Sequence, residues 1–211
     1  MTRGKFIVIE GLDGAGTTTQ ADKLTKYARE VQGIDVVLTA EPSKGPVGSM
    51  LRLALANRIA MKGGAPLTSD TLALLFTADR LDHIASVVEP ALAAGKMVVC
   101  DRYVMSTLAY QAKSEADLLW LFQLNARAPK PDVTVFLRVP TPVGLARISG
   151  RGERDIFETE QFLARVERNY ETVLAEADVG PVAVVDGTAP VQTVAGAIRR
   201  GHSPGCRKVV Q

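Results

Sequence analysis

A glycine-rich turn between an apolar run and a helical segment constrains the fold of this chain more than any other feature. Residues 5–9 predict a buried strand, because four apolar residues follow Lys5. The turn at residues 11–18 reads Gly-Leu-Asp-Gly-Ala-Gly-Thr-Thr. A helix is predicted over residues 17–31, where apolar residues recur at helical spacing before Gly33. This order predicts a loop whose backbone N–H groups surround phosphate oxygens.

Further apolar runs alternate with helical patterns along the chain. They predict strands at residues 36–38, 97–100, 133–139 and 182–185. Helical patterns are predicted from about residue 47 to residue 62, and from an N-cap at Ser69 to near Gly95. Because most of these strands are continuously apolar, they indicate a parallel sheet covered by helices on both faces. The expected fold is α/β, a five-stranded P-loop fold in a single domain over residues 1–200. Residues 201–211 are expected to form a flexible tail.

Composition limits the classes of partner and compartment. The formal net charge of +2 over 211 residues gives no argument for nucleic acid or a membrane as a partner. No apolar run approaches the roughly 20 residues of a membrane span. Cys100 and Cys206 do not make a disulfide framework, which indicates a reducing compartment. A strand predicted so near the N-terminus leaves no room for a signal peptide, so the expected location is the cytoplasm.

The glycine-rich turn is predicted to bind phosphate groups, although it departs from the usual P-loop pattern. Thr18 stands where a hydroxyl usually binds Mg²⁺, but Thr17 replaces the lysine that normally precedes it. The next lysine, Lys23, is too far along the helix to take its place. An ordinary strand-to-helix turn therefore stays an alternative. The predicted phosphate-binding residues are Gly11, Gly14, Ala15, Gly16, Thr17 and Thr18.

A charged pair directly follows the strand predicted at residues 97–100. Ligands of parallel sheets bind at the carboxyl ends of the strands, which puts Asp101 and Arg102 beside the glycine-rich turn. Asp101 is then placed to hold Mg²⁺, and Arg102 is placed to bind a phosphate with both nitrogens. A structural ion pair is the alternative interpretation.

A glycine-flanked cluster of arginines is predicted to form a lid over a triphosphate, from about residue 147 to residue 158. Arg147 lies on a predicted helix, and Arg151 and Arg154 lie in the Gly-Arg-Gly-Glu-Arg run that follows it. Glycines would give mobility and the arginines positive charge. The alternative is a solvated basic loop.

One predicted helical face combines an aromatic ring with polar groups. Phe76, Asp79, Arg80 and His83 are spaced so that they share a face. A ring and a guanidinium on one face are able to stack on a base and hydrogen-bond to it. Taken alone, such a face is more often core with a solvated rim.

Together these pieces resemble the thymidylate kinase family over about residues 5–199. The matching pieces occur in the family's order and include Glu10 to Gly16, Thr39 to Pro42, Ala78 to Arg80, Asp101 to Tyr103, Ser106, Tyr110, Gln111 and Arg151 to Glu158. The resemblance implies ATP-dependent phosphorylation of dTMP to dTDP, with Mg²⁺, usually in a homodimer.

The resemblance also implies residue roles. Asp13 would lie near the sugar and phosphate of dTMP, and Arg102 would bind its phosphoryl group. Phe76 would stack on thymine, Arg80 would read its carbonyl edge, and Tyr110 would disfavour a 2′-hydroxyl. The implied substrate-binding residues are Glu41, Phe76, Arg80, Ser106, Thr107, Tyr110 and Gln111. The implied catalytic residues are Asp13, Arg102, Arg147, Arg151 and Arg154, and Thr18 and Asp101 would hold Mg²⁺.

Two departures from the family pattern remove positive charge near the substrates: Thr17 replaces the P-loop lysine, and Ala40 replaces the arginine of the usual Arg-Glu-Pro. The alternatives are a kinase for another nucleoside monophosphate, or a catalytically impaired nucleotide-binding homologue. A P-loop GTPase switch would need a guanine-reading Asn-Lys-x-Asp motif, and the chain has no Asn-Lys pair.

Overall fold

Five parallel strands form one sheet in the computed structural model, which describes residues 2–149 and 160–201. The strands are β1 (Phe6–Gly11), β2 (Val36–Ala40), β3 (Met97–Asp101), β4 (Val133–Arg138) and β5 (Val182–Asp186). Their order across the sheet is β2-β3-β1-β4-β5. The predicted α/β fold with five parallel strands is therefore confirmed.

Helices cover both faces of this sheet. They are α1 (Thr17–Glu30), α2 (Pro46–Leu55), α3 (Ser69–His83), α4 (Glu89–Ala93), α5 (Val104–Gln111), α6 (Glu115–Leu124), α7 (Thr141–Ile148), α8 (Glu160–Glu176) and α9 (Val191–Gly201). Alternate residues of β1 enter different cores: Ile7 and Ile9 pack with α1 and α9, whereas Phe6 and Val8 pack with α4. This two-sided burial explains why β1 is a continuous apolar run.

The register of the sheet brings the ends of three strands together. Asp101 at the end of β3 lies opposite Ile9 of β1 and also opposite Ala40 of β2. The glycine-rich turn after β1, the loop after β2 and the loop after β3 therefore meet at one edge. Strands β2 and β3 lie on one side of β1, and β4 and β5 lie on the other side. Where the strand order reverses in this way, a parallel sheet has a crevice at the carboxyl ends of its strands.

Local backbone chemistry moves two predicted helix boundaries. The helix predicted to reach residue 62 ends at Leu55, and Asn57 then takes a left-handed conformation with φ of 52°. Thr68, not Ser69, caps α3, because its hydroxyl accepts the N–H of Thr71 at 3.2 Å. The helical segment predicted to end near Gly95 includes a π-helical turn at Ile84–Val88 between α3 and α4.

Two predicted segments lie largely outside the described residues. The predicted lid is described only as far as Ser149, and the predicted tail only at Gly201. Within the residues that are described, no helix is long and apolar enough to span a membrane.

The loop after β2 packs so closely on α2 that it restricts the size of one residue. A Cβ atom at Gly48 would lie 2.1 Å from the carbonyl oxygen of Ser43. We expect Gly48→Ala to lower the melting temperature by roughly 2–12 °C, because overpacking by one methyl group typically costs about 1–3 kcal/mol. The matched control is Ser49→Ala, at the exposed neighbouring position. Equal melting temperatures for the two variants would show that α2 does not press on this loop.

Candidate active site

The glycine-rich turn leaves the start of α1 open toward the crevice. Gly14 and Gly16 have φ of 81° and 92°, left-handed values that favour glycine. A Cβ atom at Gly16 would meet no other atom within 4 Å. The first N–H groups of a helix have no partner inside it, and they carry the positive end of its dipole. The N–H of Ala15 is different, because it donates to the carbonyl oxygen of Leu12 at 2.9 Å.

Thr18 and Asp101 converge beside this turn, as the sequence predicts. The Thr18 hydroxyl donates to Oδ2 of Asp101 at 2.5 Å. The other carboxylate oxygen, Oδ1, is buried and accepts no hydrogen bond from the described residues. A hydroxyl and a carboxylate oxygen with a spare lone pair suit Mg²⁺, which prefers few protein oxygens and keeps other positions for water and phosphate. Among the described residues, no cluster of three acidic, His or Cys side chains offers a denser metal site.

Arg102 projects toward the turn from a strained backbone. Its φ of 70° is left-handed, which is rare for a long side chain. Its Nη2 donates to Oδ1 of Asp13 at 2.6 Å, and its Nη1 donates to the carbonyl oxygen of Gly11 at 3.1 Å. The guanidinium lies 5.3 Å from the ring centre of Tyr110, whose hydroxyl accepts the N–H of Asp13. The side chain of Arg102 therefore joins the loop after β3 to the glycine-rich turn, and 22 % of it is exposed.

A buried ion pair forms the inner wall of the crevice. Arg80 is 1 % exposed, and its Nη2 lies 2.8 Å from Oε2 of Glu41. It also donates to the carbonyl oxygen of Tyr103, the hydroxyl of Thr107 and the side-chain oxygen of Asn125. These partners belong to the loop after β2, the start of α5 and the end of α6. One side chain thus ties four segments together.

Two more buried side chains of α3 hold the loop after β2. Asp79 accepts the N–H and the hydroxyl of Ser43 at 2.7 and 2.6 Å. His83 contacts Oε1 of Glu41 through Nδ1 at 3.2 Å and the Thr39 hydroxyl through Nε2 at 2.7 Å. All four residues of the predicted face lie on α3. Phe76 and Arg80 line one cleft, the cleft beside Arg80, whereas Asp79 and His83 face this loop and do not line that cleft.

That cleft has a volume of about 230 Å³ and brings together every residue predicted to bind the substrate. The side chain of Gln111 adds an unused donor, because its Nε2 is buried and has no hydrogen-bond partner among the described residues. The predicted residues that line the cleft are Asp13, Glu41, Phe76, Arg80, Asp101, Arg102, Ser106, Thr107, Tyr110 and Gln111.

Of the three predicted lid arginines, Arg147 lies within the described residues, and Arg151 and Arg154 lie outside them. The Nη1 of Arg147 donates to the carbonyl oxygens of Gly14 at 3.3 Å and Gly187 at 3.0 Å. Arg147 therefore contacts the glycine-rich turn itself.

Sequence reasoning gave no role to Glu10, which is fully buried at the end of β1. Its carboxylate accepts hydrogen bonds from Tyr103, Ser106 and Tyr170. Burial raises the pKa of Glu10 above its usual range, and the hydrogen bond from Ser106 and the charge of Arg102 oppose that rise. A charged residue inside an apolar strand was the available signal, because buried charges are usually paired or hydrogen-bonded.

Comparison with known proteins gives consistent matches. The family model described as "Thymidylate kinase" matches residues 9–198. A protein of Pyrococcus abyssi named "Probable thymidylate kinase" is 41% identical over 193 residues, which cover 91% of this chain and 92% of that protein. A "Thymidylate kinase" of Xanthomonas oryzae pv. oryzae is 40% identical over 201 residues, which cover 95% of this chain and 82% of that protein.

Removing one partner of the buried ion pair of Arg80 should strongly destabilise the fold. Arg80→Met would leave Glu41 buried without its guanidinium, and breaking a buried pair in this way costs about 3–5 kcal/mol. We expect that decrease in the free energy of unfolding, measured by urea denaturation. Arg58→Met is the control, because Arg58 is exposed and surface changes usually stay within about 0.5 kcal/mol. If both variants are equally stable, the Arg80 network is not what holds the four segments together.

Proposed function

Because this chain belongs to the thymidylate kinase family, we propose that the cleft beside Arg80 is its dTMP site and that the glycine-rich turn is its ATP site, within one kinase domain over residues 1–200. The enzyme transfers the γ-phosphoryl group of ATP to dTMP, which gives ADP and dTDP. The observation that carries the site assignment is the convergence of all the predicted substrate-binding residues in one cleft next to the turn.

In this proposal the base lies deep in the cleft and the phosphate lies near Arg102. Phe76 stacks on thymine, and Arg80 and Gln111 face its polar edge. Gln111 supports this placement, because its buried Nε2 has no hydrogen-bond partner in the part of the chain that the structure describes. Tyr110 lies beside the sugar, next to Asp13, whose N–H donates to the Tyr110 hydroxyl. Arg102 exchanges part of its contact with Asp13 for the acceptor phosphoryl group, as its partial exposure permits.

The donor side combines the glycine-rich turn with Thr18 and Asp101. We propose that N–H groups from Gly14 to Thr18 hold the ATP phosphates, except that of Ala15, which is already bonded to Leu12. Thr18 and Asp101 would hold Mg²⁺ through the hydroxyl and through Oδ1, which accepts no hydrogen bond within residues 2–149 and 160–201. Mg²⁺, when bound, offsets the negative charge of the phosphates. The attacking phosphate oxygen is already anionic near neutral pH, so these residues need only position and neutralise groups.

Thr17 leaves a shortage of positive charge that arginines are proposed to supply. Arg147 already contacts the turn through Gly14. Arg151 and Arg154 are proposed to act with it at the transferring phosphoryl group, where one arginine is worth about 10³–10⁵ in rate in related chemistry. Lys44 is proposed as a further source, because it borders the same cavity as Thr18 and Asp101.

We also propose that the enzyme forms a homodimer in the cytoplasm. Helices α2 and α3 pack against each other and expose large apolar side chains, Met50 and Leu53 on α2 and Leu74 and Leu81 on α3. Such residues form the core of subunit interfaces. The described cysteine, Cys100, is a free buried thiol, which suits a reducing compartment.

Acceptor preference tests the proposed dTMP site. We expect kcat/KM for dTMP to exceed that for dCMP, dGMP and dAMP by at least about tenfold, or roughly 1.4 kcal/mol, because Arg80 and Phe76 are placed for a pyrimidine with a carbonyl edge. A coupled assay of ADP release with each monophosphate measures this. Equal use of a purine monophosphate would contradict the site assignment. ATP binding without transfer to any acceptor would indicate a catalytically impaired homologue.

A second prediction concerns the missing lysine. We expect Arg147→Ala to lower kcat by at least about tenfold, because removing one well-placed donor from a site of this kind costs about 10²–10³ in rate. Adding Thr17→Lys to that variant should restore part of the loss, since both charges serve the same phosphates. Arg138→Ala, which removes an exposed arginine paired with Glu171, is the control. If Thr17→Lys restores nothing, Arg147 acts only by joining the turn to the loop after β5.

A further inference from the structure

Glu10 holds a hydrogen-bonded cluster directly behind the proposed acceptor site. Its Oε1 accepts the N–H of Tyr103 at 2.8 Å and the N–H of Ser106 at 3.1 Å. Its Oε2 accepts the Ser106 hydroxyl at 2.6 Å and lies 3.1 Å from the Tyr170 hydroxyl. Four donors from α8 and from the start of α5 therefore converge on one carboxylate at the end of β1.

These contacts hold the segment that carries Arg102. The N–H of Tyr103 belongs to the peptide that follows Arg102, so its bond to Glu10 fixes the orientation of that peptide. Arg102 needs such support, because its left-handed backbone is unfavourable for a long side chain. The Ser106 hydroxyl extends the same cluster to the guanidinium, since Nη1 of Arg102 lies 3.4 Å from it.

Glu10 does not line the dTMP cleft. It is fully buried, and two residues that it bonds to, Tyr103 and Ser106, line the cleft. The direct acidic partner of Arg102 is Asp13. Glu10 reaches the cleft most directly through the segment 102–106, which supplies three of its four hydrogen-bond donors.

We propose that Glu10 is a positioning residue for acceptor phosphate recognition, which it serves by fixing residues 102–106 so that Arg102 points at the phosphoryl group of dTMP. This inference rests on the proposed role of Arg102. It implies that disrupting the cluster weakens binding of the phosphate while leaving binding of the thymine and sugar intact.

The test compares the affinities of dTMP and thymidine, which share base and sugar and differ by the phosphate, using calorimetry. We expect Glu10→Ala to weaken dTMP binding by at least about tenfold, as for the loss of a hydrogen bond to a charged group, and to leave thymidine binding unchanged. Glu10→Gln should recover most of the lost affinity. Its amide oxygen keeps both N–H donors, and its NH₂ group is able to donate to the hydroxyls of Ser106 and Tyr170.

Arg102→Ala is the reference that separates this inference from the proposed function. If it leaves the ratio of dTMP to thymidine affinity unchanged, Arg102 does not bind the phosphate and the proposed acceptor site is wrong. If it lowers the ratio but Glu10→Ala does not, only the positioning inference is overturned. In the double variant, Glu10→Ala should lower the ratio no further, because its effect acts through Arg102.

Two further results would also overturn the inference. One is an equal loss of dTMP and thymidine affinity in Glu10→Ala, which would indicate a general structural role. The other is a loss in Glu10→Gln as large as that in Glu10→Ala. This would indicate that Glu10 acts through its negative charge and not by positioning residues 102–106. Should Glu10→Ala fail to fold, Tyr170→Phe removes one of the contacts to Oε2, together with the contacts of the same hydroxyl to Ser106 and to the carbonyl oxygen of Gly11. It should lower the affinity ratio by a smaller factor, and an unchanged ratio would contradict the proposal.

Discussion

The buried ion pair between Arg80 and Glu41 is the interaction on which the architecture of the active site depends. Both side chains are almost fully removed from solvent. A charge in such a place is tolerated only when its remaining hydrogen-bonding groups are satisfied, and Arg80 does this with partners from the starts and ends of several elements. The need to satisfy one guanidinium therefore brings the loop after β2, α5 and α6 around α3. The cleft is the space that remains beside this group.

The second carboxylate–guanidinium pair in the site has a different character. Arg102 and Asp13 are both partly exposed, at 22% and 31% of their side chains. Water already competes for these groups, so a phosphate is able to replace a carboxylate as the partner of Arg102 at little cost in desolvation. The buried pair thus gives the cleft its shape, and the exposed pair faces the part of the cleft that is proposed to bind the phosphate of dTMP.

The sequence predicted well whatever depends on local pattern. Continuous apolar runs located all five strands, and the parallel arrangement then placed Asp101 beside the turn that carries Thr18. The ends of α2 and α3 were harder to predict. They depend on the left-handed turn at Asn57 and the cap at Thr68, and neither residue type by itself marks a helix end. The partners of Glu10 were beyond sequence reasoning, since Tyr103 and Tyr170 are 93 and 160 positions away. Chemistry-bearing residues could be assigned to one edge of the sheet, but their individual bonds depend on tertiary packing.

The contact between the glycine-rich turn and α7 explains where this enzyme is able to carry its arginines. A Cβ atom at Gly14 would lie 2.3 Å from the carbonyl oxygen of Gly144, and one at Gly144 would lie 2.7 Å from that of Asp13. The two backbones touch, so no side chain fits at position 14 while α7 keeps its place. An arginine at position 14 would have to push this helix away from the turn. Positive charge at this turn must therefore come from outside position 14, and Arg147 of the same helix already contacts the turn through the carbonyl oxygen of Gly14.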